Sequence, residues 1–397
     1  MHETYDATGP AGEPAIAPRL GIIGGGQLAR MTAMTALKLG CDVVVLERNA
    51  VSPAATLATH SLVGDWDDPT VLTAFAAQCD VVTFENEFVD AAALAALQRA
   101  GRLVFPRAES LALVQDKYVQ KKTLEEAGLP VVPYERTATV DALHAALRRL
   151  GVPAVLKARR DAYDGRGNST IRAHADAEPA WRQLSDDGRR ALFVEQWCDF
   201  TMELAVMVTR GRDGTTVAYP VVETEQRDHV CRVVRAPARV TPAVAAQVTE
   251  YATRAAAALD AVGTIGVECF LTTDGRVLIN EVAPRVHNSG HYTIEACACS
   301  QFENHVRAVL GLPLGSPRLV APAAVMVNLL GASRVPARPA GLDRALAVPG
   351  ASLHLYGKRM SGERRKLGHV TALGESLAEA EAAAMRCAES ITFGGVA

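Results

Sequence analysis

Residues 20–23 of the chain are apolar, Gly24-Gly25-Gly26-Gln27 forms a tight turn, residues 28–39 follow a helical pattern closed by Gly40, and residues 43–46 are apolar again. A strand, a helix and a strand in that order open a parallel sheet whose face the helix must cover. Apolar runs at 81–84 and 103–105 flank a helical stretch at 91–99 and carry the pattern to about residue 118. With 397 residues, 49% of them hydrophobic, the chain can bury two or three cores of ordinary domain size, so this unit is one part of a multidomain α/β protein.

Further along the vocabulary changes. Residues 154–157 and 192–195 read as strands around a loop rich in charge and glycine at 159–168, which suggests a small separate lobe. After residue 198 come alternating strand patterns, a helix at 242–259, a hairpin at 266–282 and a closing helix at 375–389. The first eighteen residues carry Pro, Gly and acidic residues without the basic start and apolar centre of a signal peptide, and read as a floppy extension. No apolar run approaches the ~20 residues that cross a bilayer. A net charge of −3 gives no field that gathers polyanions, so neither nucleic acid nor membrane is expected as a partner. Eight cysteines without CxxC or zinc-ligand spacing fit reduced thiols in a cytoplasmic protein.

Gly24-x-Gly26-x-x-Ala29, with Glu47 closing the next strand, matches the dinucleotide fingerprint locally. Alone, it would indicate a nicotinamide dehydrogenase. The plainer explanation is that the glycines permit a tight turn and close packing, leaving a helix N-terminus free for any anion.

The hairpin at 266–281 says more. Asp274-Gly275 is a two-residue turn signal that sets Thr273 against Arg276. Counting outward places Glu268 opposite Glu281, on one face with Phe270, Thr272, Val277 and Ile279, and turns Asn280 to the other face. Like charges ~5 Å apart repel unless a cation or shared proton intervenes, and a hard cation such as Mg²⁺ resolves the conflict. The alternative is a bulged three-residue turn that slips the register.

Ala283-Pro284-Arg285-Val286-His287-Asn288-Ser289-Gly290-His291 follows at once, a dense donor set beside a metal candidate, suited to a small oxyanion. His287 and His291 have zinc-helix spacing, but Ser289-Gly290 between them discourages a helix. Lys157 closes an apolar strand, where a phosphate partner would offset its desolvation; Lys117 follows Gln115-Asp116 at a domain junction. Tyr163-Asp164-Gly165-Arg166-Gly167 is similar to a glycine lid over phosphates, and residues 192–194 run into Glu195-Gln196-Trp197, where exposed backbone could read adenine and leave a carboxylate for ribose.

Together these pieces resemble the ATP-grasp superfamily and, within it, the 5-(carboxyamino)imidazole ribonucleotide synthases of purine biosynthesis. The resemblance spans roughly residues 19–370 and rests on Gly24-Gly25-Gly26-Gln27-Leu28, Glu85-Asn86-Glu87, Gln115-Asp116-Lys117, the 163–167 loop, Asn280-Glu281-Val282-Ala283-Pro284-Arg285 with His287 to His291, Ser300-Gln301-Phe302 and His354-Leu355-Tyr356-Gly357-Lys358. It implies an ATP-grasp fold: an extension at 1–18, an N-terminal Rossmann-like domain at 19–118, a central lid lobe at 119–197 and a C-terminal α+β domain at 198–397. It implies that Lys117, Lys157, Glu195, Trp197, Glu203 and Asn280 hold ATP, and that Glu268 and Glu281 hold Mg²⁺. Arg285, His287 and Asn288 would grip bicarbonate and carboxyphosphate, while Tyr163 and Asp164 would stand at the ribonucleotide, Asp164 as a base for its amine. Gln27, Leu28, Glu85 or Glu87, Lys358 and Arg365 would surround aminoimidazole ribonucleotide. A homodimer that passes its product to a separate mutase is expected, with no fused mutase domain. The lid has Asp161-Ala162 where a glycine pair is frequent, Ala29 stands where glycine is usual in the turn, and Phe88 replaces a common histidine.

Overall fold

The computed structural model describes residues 17–161 and 167–394. Near the N-terminus, five parallel strands lie in the order His60–Val63, Asp42–Glu47, Arg19–Ile23, Val81–Phe84 and Leu103–Val104. Helix Gln27–Lys38 covers one face, where Ala29, Ala33 and Ala36 pack on Leu20, Ile22 and Val43; Phe75, Leu72 and Leu94 fill the other. The central strands are apolar on both sides because helices bury both faces.

Helices Ala108–Gln115 and Lys117–Glu126 lead into a four-stranded antiparallel sheet, ordered Tyr134–Thr137, Leu192–Gln196, Ala154–Ala158 and Asn168–Ile171. Helices Val140–Leu150 and Ala177–Ser185 cover it through Leu143, Leu147, Ala180 and Leu184. A nine-stranded sheet runs from residue 200 to 374, with hairpin Gly263–Thr272 and Val277–Ala283 at one edge and Ala351–Leu355 at the other. Helices Pro242–Ala258 and Leu377–Glu389 pack on it through separate cores. Helix Gln301–Leu310 joins the N-terminal sheet to this one, since Val306 and Val309 belong to the core of the former. No helix of the described residues is long and apolar enough to cross a membrane.

The hairpin corrects its sequence-based register. Thr272 N donates to Arg276 O at 2.9 Å and Gly275 N to Thr272 O at 3.0 Å, so the loop is the three-residue form, with Gly275 at φ 83°. The ladder therefore slips by one, pairing Leu271 with Val277, Phe270 with Leu278 and Cys269 with Ile279. An irregularity at Asn280 then restores the lost residue, and Glu268 does lie opposite Glu281. Two compensating deviations produce the pair that a regular hairpin would also have produced. Val277 and Ile279 are 2% and 0% exposed in the core and do not share the glutamates' face. Asn280, turned away by simple counting, lines the same cleft as Glu281.

Candidate functional site

At the glycine turn, Glu85 leaves the end of strand Val81–Phe84 and accepts from Gly26 N at 2.5 Å and Ala29 N at 3.0 Å. Glu47 accepts from Gly25 N at 2.8 Å. A Cβ on Gly24 would lie 2.5 Å from Glu85 Cγ, and one on Gly26 2.5 Å from Glu85 Oε1, so both glycines make room for this carboxylate. The helix N-terminus, a ready anion site, is already filled by the chain's own acid. That removes the dinucleotide reading, because a pyrophosphate would need the same amides. Burial raises the pKa of Glu85.

Glu87, two residues on, takes the Arg285 fork instead, with Nε at 2.6 Å and Nη2 at 3.2 Å. Burial works to raise Glu87, but the guanidinium outweighs it and holds the carboxyl below its usual range. Arg285 Nη1 also donates to Val286 O at 3.2 Å. Of the five guanidinium N–H groups, these contacts use three, and two remain for an anion.

The first turn of helix Lys117–Glu126 is built residue by residue. Gln115 donates to Glu87 O at 2.8 Å and Val89 O at 2.6 Å, tying the junction to the N-terminal sheet. Asp116 caps the helix, accepting from Tyr118 N at 3.1 Å, and also holds Arg159 of the central lobe at 2.6 Å. Lys117 projects into the cleft and bonds Glu281. Gln120 meets the backbone of Val282 twice, each time at 2.8 Å.

Lys117 is thus the cation that the Glu268–Glu281 repulsion demanded, but it serves only one partner. Burial and then the Glu281 charge push the Glu268 carboxyl well above its usual range. For Glu281, burial opposes ionisation but Lys117 outweighs it, and the carboxyl sits well below its usual range. Glu268 has His287 Nε2 at 3.6 Å. Burial, then the nearby Arg285 charge, lowers His287 to about 3, so the imidazole is neutral. Its Nδ1 lies 2.8 Å from Ser289 Oγ.

Asn288 is less free than expected. Its amide pairs reciprocally with Asn328, at 3.0 and 2.7 Å. His291, 0% exposed, faces away from the cleft toward Gln301 and Phe302. Gln301 is a hub: its Oε1 accepts from His287 N at 2.9 Å and its Nε2 donates to His287 O at 2.7 Å. Among the described residues, Glu295, His354 and His369 also approach one another closely enough to share an ion. The His354 and His369 rings are stacked 4.4 Å apart at 7°, however, so their in-plane lone pairs cannot converge on one centre.

In the central lobe, Lys157 finds a carboxylate where a phosphate was expected: Glu195 Oε2 is 2.5 Å from its Nζ. Glu195 is 3% exposed and also meets Lys121 at 3.0 Å, so it is not available for ribose. Glu203 lines the cleft with its Oε2 buried without a hydrogen-bond partner, and burial raises the carboxyl to about 7. Trp197 is 41% exposed on the cleft wall, where Phe200 stacks on Phe270 at 4.6 Å. Across from it lie Lys358, whose Nζ donates to Lys366 O at 2.8 Å, and Arg365, whose Nη1 donates to Met360 O at 3.1 Å.

One cleft of about 1700 Å³ collects every residue singled out from the sequence for ATP, cation, bicarbonate and ribonucleotide, except Tyr163 and Asp164, which lie outside the described residues. Sequence reasoning passed over Gln120, Lys121 and Asn328, and met Gln301 only as part of a family motif, with no role given to it. Lys121 carried a signal, standing four residues after Lys117 on the same helix face. Asn328 carried one too, as the polar residue in the apolar strand Ala323–Leu330.

Three domain families match the chain: the ribonucleotide synthetase preATP-grasp domain at residues 18–115, the ATP-grasp domain at 122–302 and the phosphoribosylaminoimidazole carboxylase C-terminal domain at 324–383. The N5-carboxyaminoimidazole ribonucleotide synthase of Synechococcus elongatus is 42% identical, over 90% of this chain and 90% of its own length. The chloroplastic phosphoribosylaminoimidazole carboxylase of Vigna aconitifolia is 40% identical over 91% of this chain, which spans 65% of that longer relative. The Thermotoga maritima N5-carboxyaminoimidazole ribonucleotide synthetase superposes with a TM-score of 0.86 at 38% identity, covering 96% of this chain and 100% of that one. The Aspergillus clavatus synthase, solved in complex with ADP and 5-aminoimidazole ribonucleotide, gives 0.86 at 36% identity, covering 94% of this chain and 98% of that one.

Proposed function

Since this chain belongs to the N5-carboxyaminoimidazole ribonucleotide synthase family of ATP-grasp ligases, we propose that it carboxylates the amine of 5-aminoimidazole ribonucleotide, using ATP and bicarbonate and releasing ADP and phosphate. The observation that carries this reading is the single cleft in which two carboxylates, two lysines and the Arg285–His287 anion set face a basic stretch at Lys358 and Arg365.

In this scheme bicarbonate attacks the γ-phosphate, giving carboxyphosphate and ADP. The anhydride breaks to CO₂ and phosphate, and the substrate amine attacks the carbon and loses a proton. Lys117 and Lys157 face the phosphates as point charges. Glu203 accepts from the ribose hydroxyls and Trp197 flanks the base. Arg285, steadied by Glu87, offers its two remaining N–H groups to bicarbonate, and neutral His287 can donate to the same anion. Asn288, locked to Asn328, contributes what its amide has left over. Gln27, Leu28, Lys358 and Arg365 surround the ribonucleotide and its phosphate.

Glu268 and Glu281, with the Asn280 carboxamide beside them, form an all-oxygen donor set of the kind Mg²⁺ takes, and Glu268 has no amine to satisfy it. Mg²⁺ bound there would neutralise charge on the transferring phosphoryl group. A homodimer that passes its carbamate product to a separate mutase completes the proposal.

The test is ADP release. Turnover should require bicarbonate and rise when aminoimidazole ribonucleotide is added; unchanged turnover in bicarbonate-depleted buffer would overturn the reading.

A further inference from the structure

We infer that Lys121 is a positioning residue of the nucleotide site: its buried ammonium neutralises Glu195, which leaves the charge of Lys157 available to the phosphates. This rests on the assignment of Lys157 to nucleotide given above.

Lys121 is 2% exposed on helix Lys117–Glu126, one turn beyond Lys117. Its Nζ makes two contacts, Glu195 Oε1 at 3.0 Å and Asn280 O at 3.1 Å. The other oxygen of Glu195 is 2.5 Å from Lys157 Nζ. Lys157 and Glu195 line the cleft, whereas Lys121 lies behind them and cannot reach a ligand there. An ammonium in such a place is costly to desolvate, and a methionine would fill the slot without that cost. What the amine adds is a charge beside Glu195 and a hydrogen bond to Asn280 O.

The charge has a definite consequence. Two ammonium groups around one carboxylate leave the triad with one net positive charge, and only Lys157 presents it to the cleft. Without Lys121, Glu195 and Lys157 form a neutral pair, and an incoming polyphosphate must compete with a buried carboxylate for the one lysine. Asn280 O, the second contact, is the carbonyl freed from the ladder by the irregularity that sets Glu281 opposite Glu268. One buried atom therefore ties the central lobe to the strand that carries the cation ligand.

Three substitutions separate charge from hydrogen bonding. Lys121→Gln keeps a donor for Asn280 O but has no charge, Lys121→Arg keeps both, and Lys121→Met keeps neither. ADP affinity by calorimetry and the KM for ATP should weaken at least about tenfold in the Gln and Met variants, the scale of one charge-assisted contact. The KM for aminoimidazole ribonucleotide should stay within about twofold, and kcat at saturating ATP should fall less than the ATP KM rises. Lys121→Arg should bind ADP nearly as the parent does. Should Lys121→Met fail to fold, the Gln and Arg variants carry the same decision.

Parent-like ADP binding by Lys121→Gln, equal binding by the Gln and Arg variants, or both KM values rising together would overturn the inference, because each would leave Lys121 a structural filler. Lys157→Ala checks the premise. If that variant binds ADP like the parent, the nucleotide assignment itself falls; if it loses ADP while Lys121→Gln does not, only the inference falls.

Discussion

At the glycine turn a carboxylate is held by two backbone amides, in a space from which any Cβ on Gly24 or Gly26 would exclude it. At the hairpin one carboxylate of a facing pair, Glu281, is held by Lys117, through one ammonium on a four-carbon stem. Both regions gather charge that a ligand could answer, and the chain answers each with its own residues. The difference lies in what holds the charge. Backbone amides at a helix start cannot move without unwinding the helix, so Glu85 closes its anion site for good. A lysine stem has rotamers that backbone amides lack, and under the proposed function it would swing to a phosphate and release Glu281 to a cation. A recognisable motif therefore states which charge can be held; the stiffness of the internal partner decides whether a ligand can displace it.

The largest expected effect breaks the exchangeable side. Glu281→Gln should turn over at least ~10²-fold more slowly in a coupled ADP assay, since metal charge stabilisation is worth several kcal/mol. From register alone, removing one of two facing carboxylates would leave the ligand-free protein as stable or more so. The Lys117 ion pair reverses that sign: the variant should melt below the parent in the absence of ligand. Near-normal turnover would remove Glu281 from the cation site.

Next comes the closed side. Glu85→Ala leaves the amides of Gly26 and Ala29 without an acceptor and should lower stability by about 1–2 kcal/mol in urea melts, the usual cost of a lost helix cap. The KM for ATP should hold. If this variant instead gains affinity for a dinucleotide without losing stability, the contrast between closed and exchangeable sites is wrong.

Lys117→Met should cost the ligand-free protein about 1 kcal/mol, the upper range for like charges across a strand pair. Magnesium alone, without nucleotide, should restore more of that loss in the variant than it adds to the parent in thermal melts. Equal responses would mean that lysine and metal do not compete for one place.

The last prediction concerns Glu203, which burial raises to about 7. A carboxyl whose folded-state pKa lies above its ordinary value holds its proton more tightly when folded, so its favourable contribution is complete below about pH 4.5 and is lost as pH rises through 7. Glu203→Gln should match the parent in acid and gain on it steadily as pH rises from about 4.5 through 7. A parent that gains on the variant as pH rises would place an unseen cation beside Glu203.

Much of the architecture was legible because periodicity reports burial: the strand and helix runs at 20–46, 81–99 and 242–259 have both faces or one stripe packed, and their patterns show it. The Glu268–Glu281 pair was legible too, though for an incomplete reason, since neither the extra loop residue nor the irregularity at Asn280 is signalled by Asp274-Gly275. What stayed hidden were the partners. Nothing local shows that Lys157 meets Glu195 across two strands, that Asn288 meets Asn328 forty residues away, or that Glu85 reaches back to Gly26. Such contacts depend on tertiary placement, and one sequence carries no record of it. The family resemblance named the cleft residues without saying which were already engaged.

The way helix Lys117–Glu126 lies along strand Val277–Ala283 has a further consequence. This strand ends the nine-stranded sheet, yet its outer polar groups are taken by Gln120 at Val282, by Lys121 at Asn280 and by Pro130 at Ile279. An open strand edge is a template on which another molecule can add a strand. Here the helix covers that edge, so a further strand finds these groups already engaged. Substitutions that loosen its first turn should reveal themselves not only in catalysis but also in concentration-dependent aggregation, with added β-structure at the freed edge.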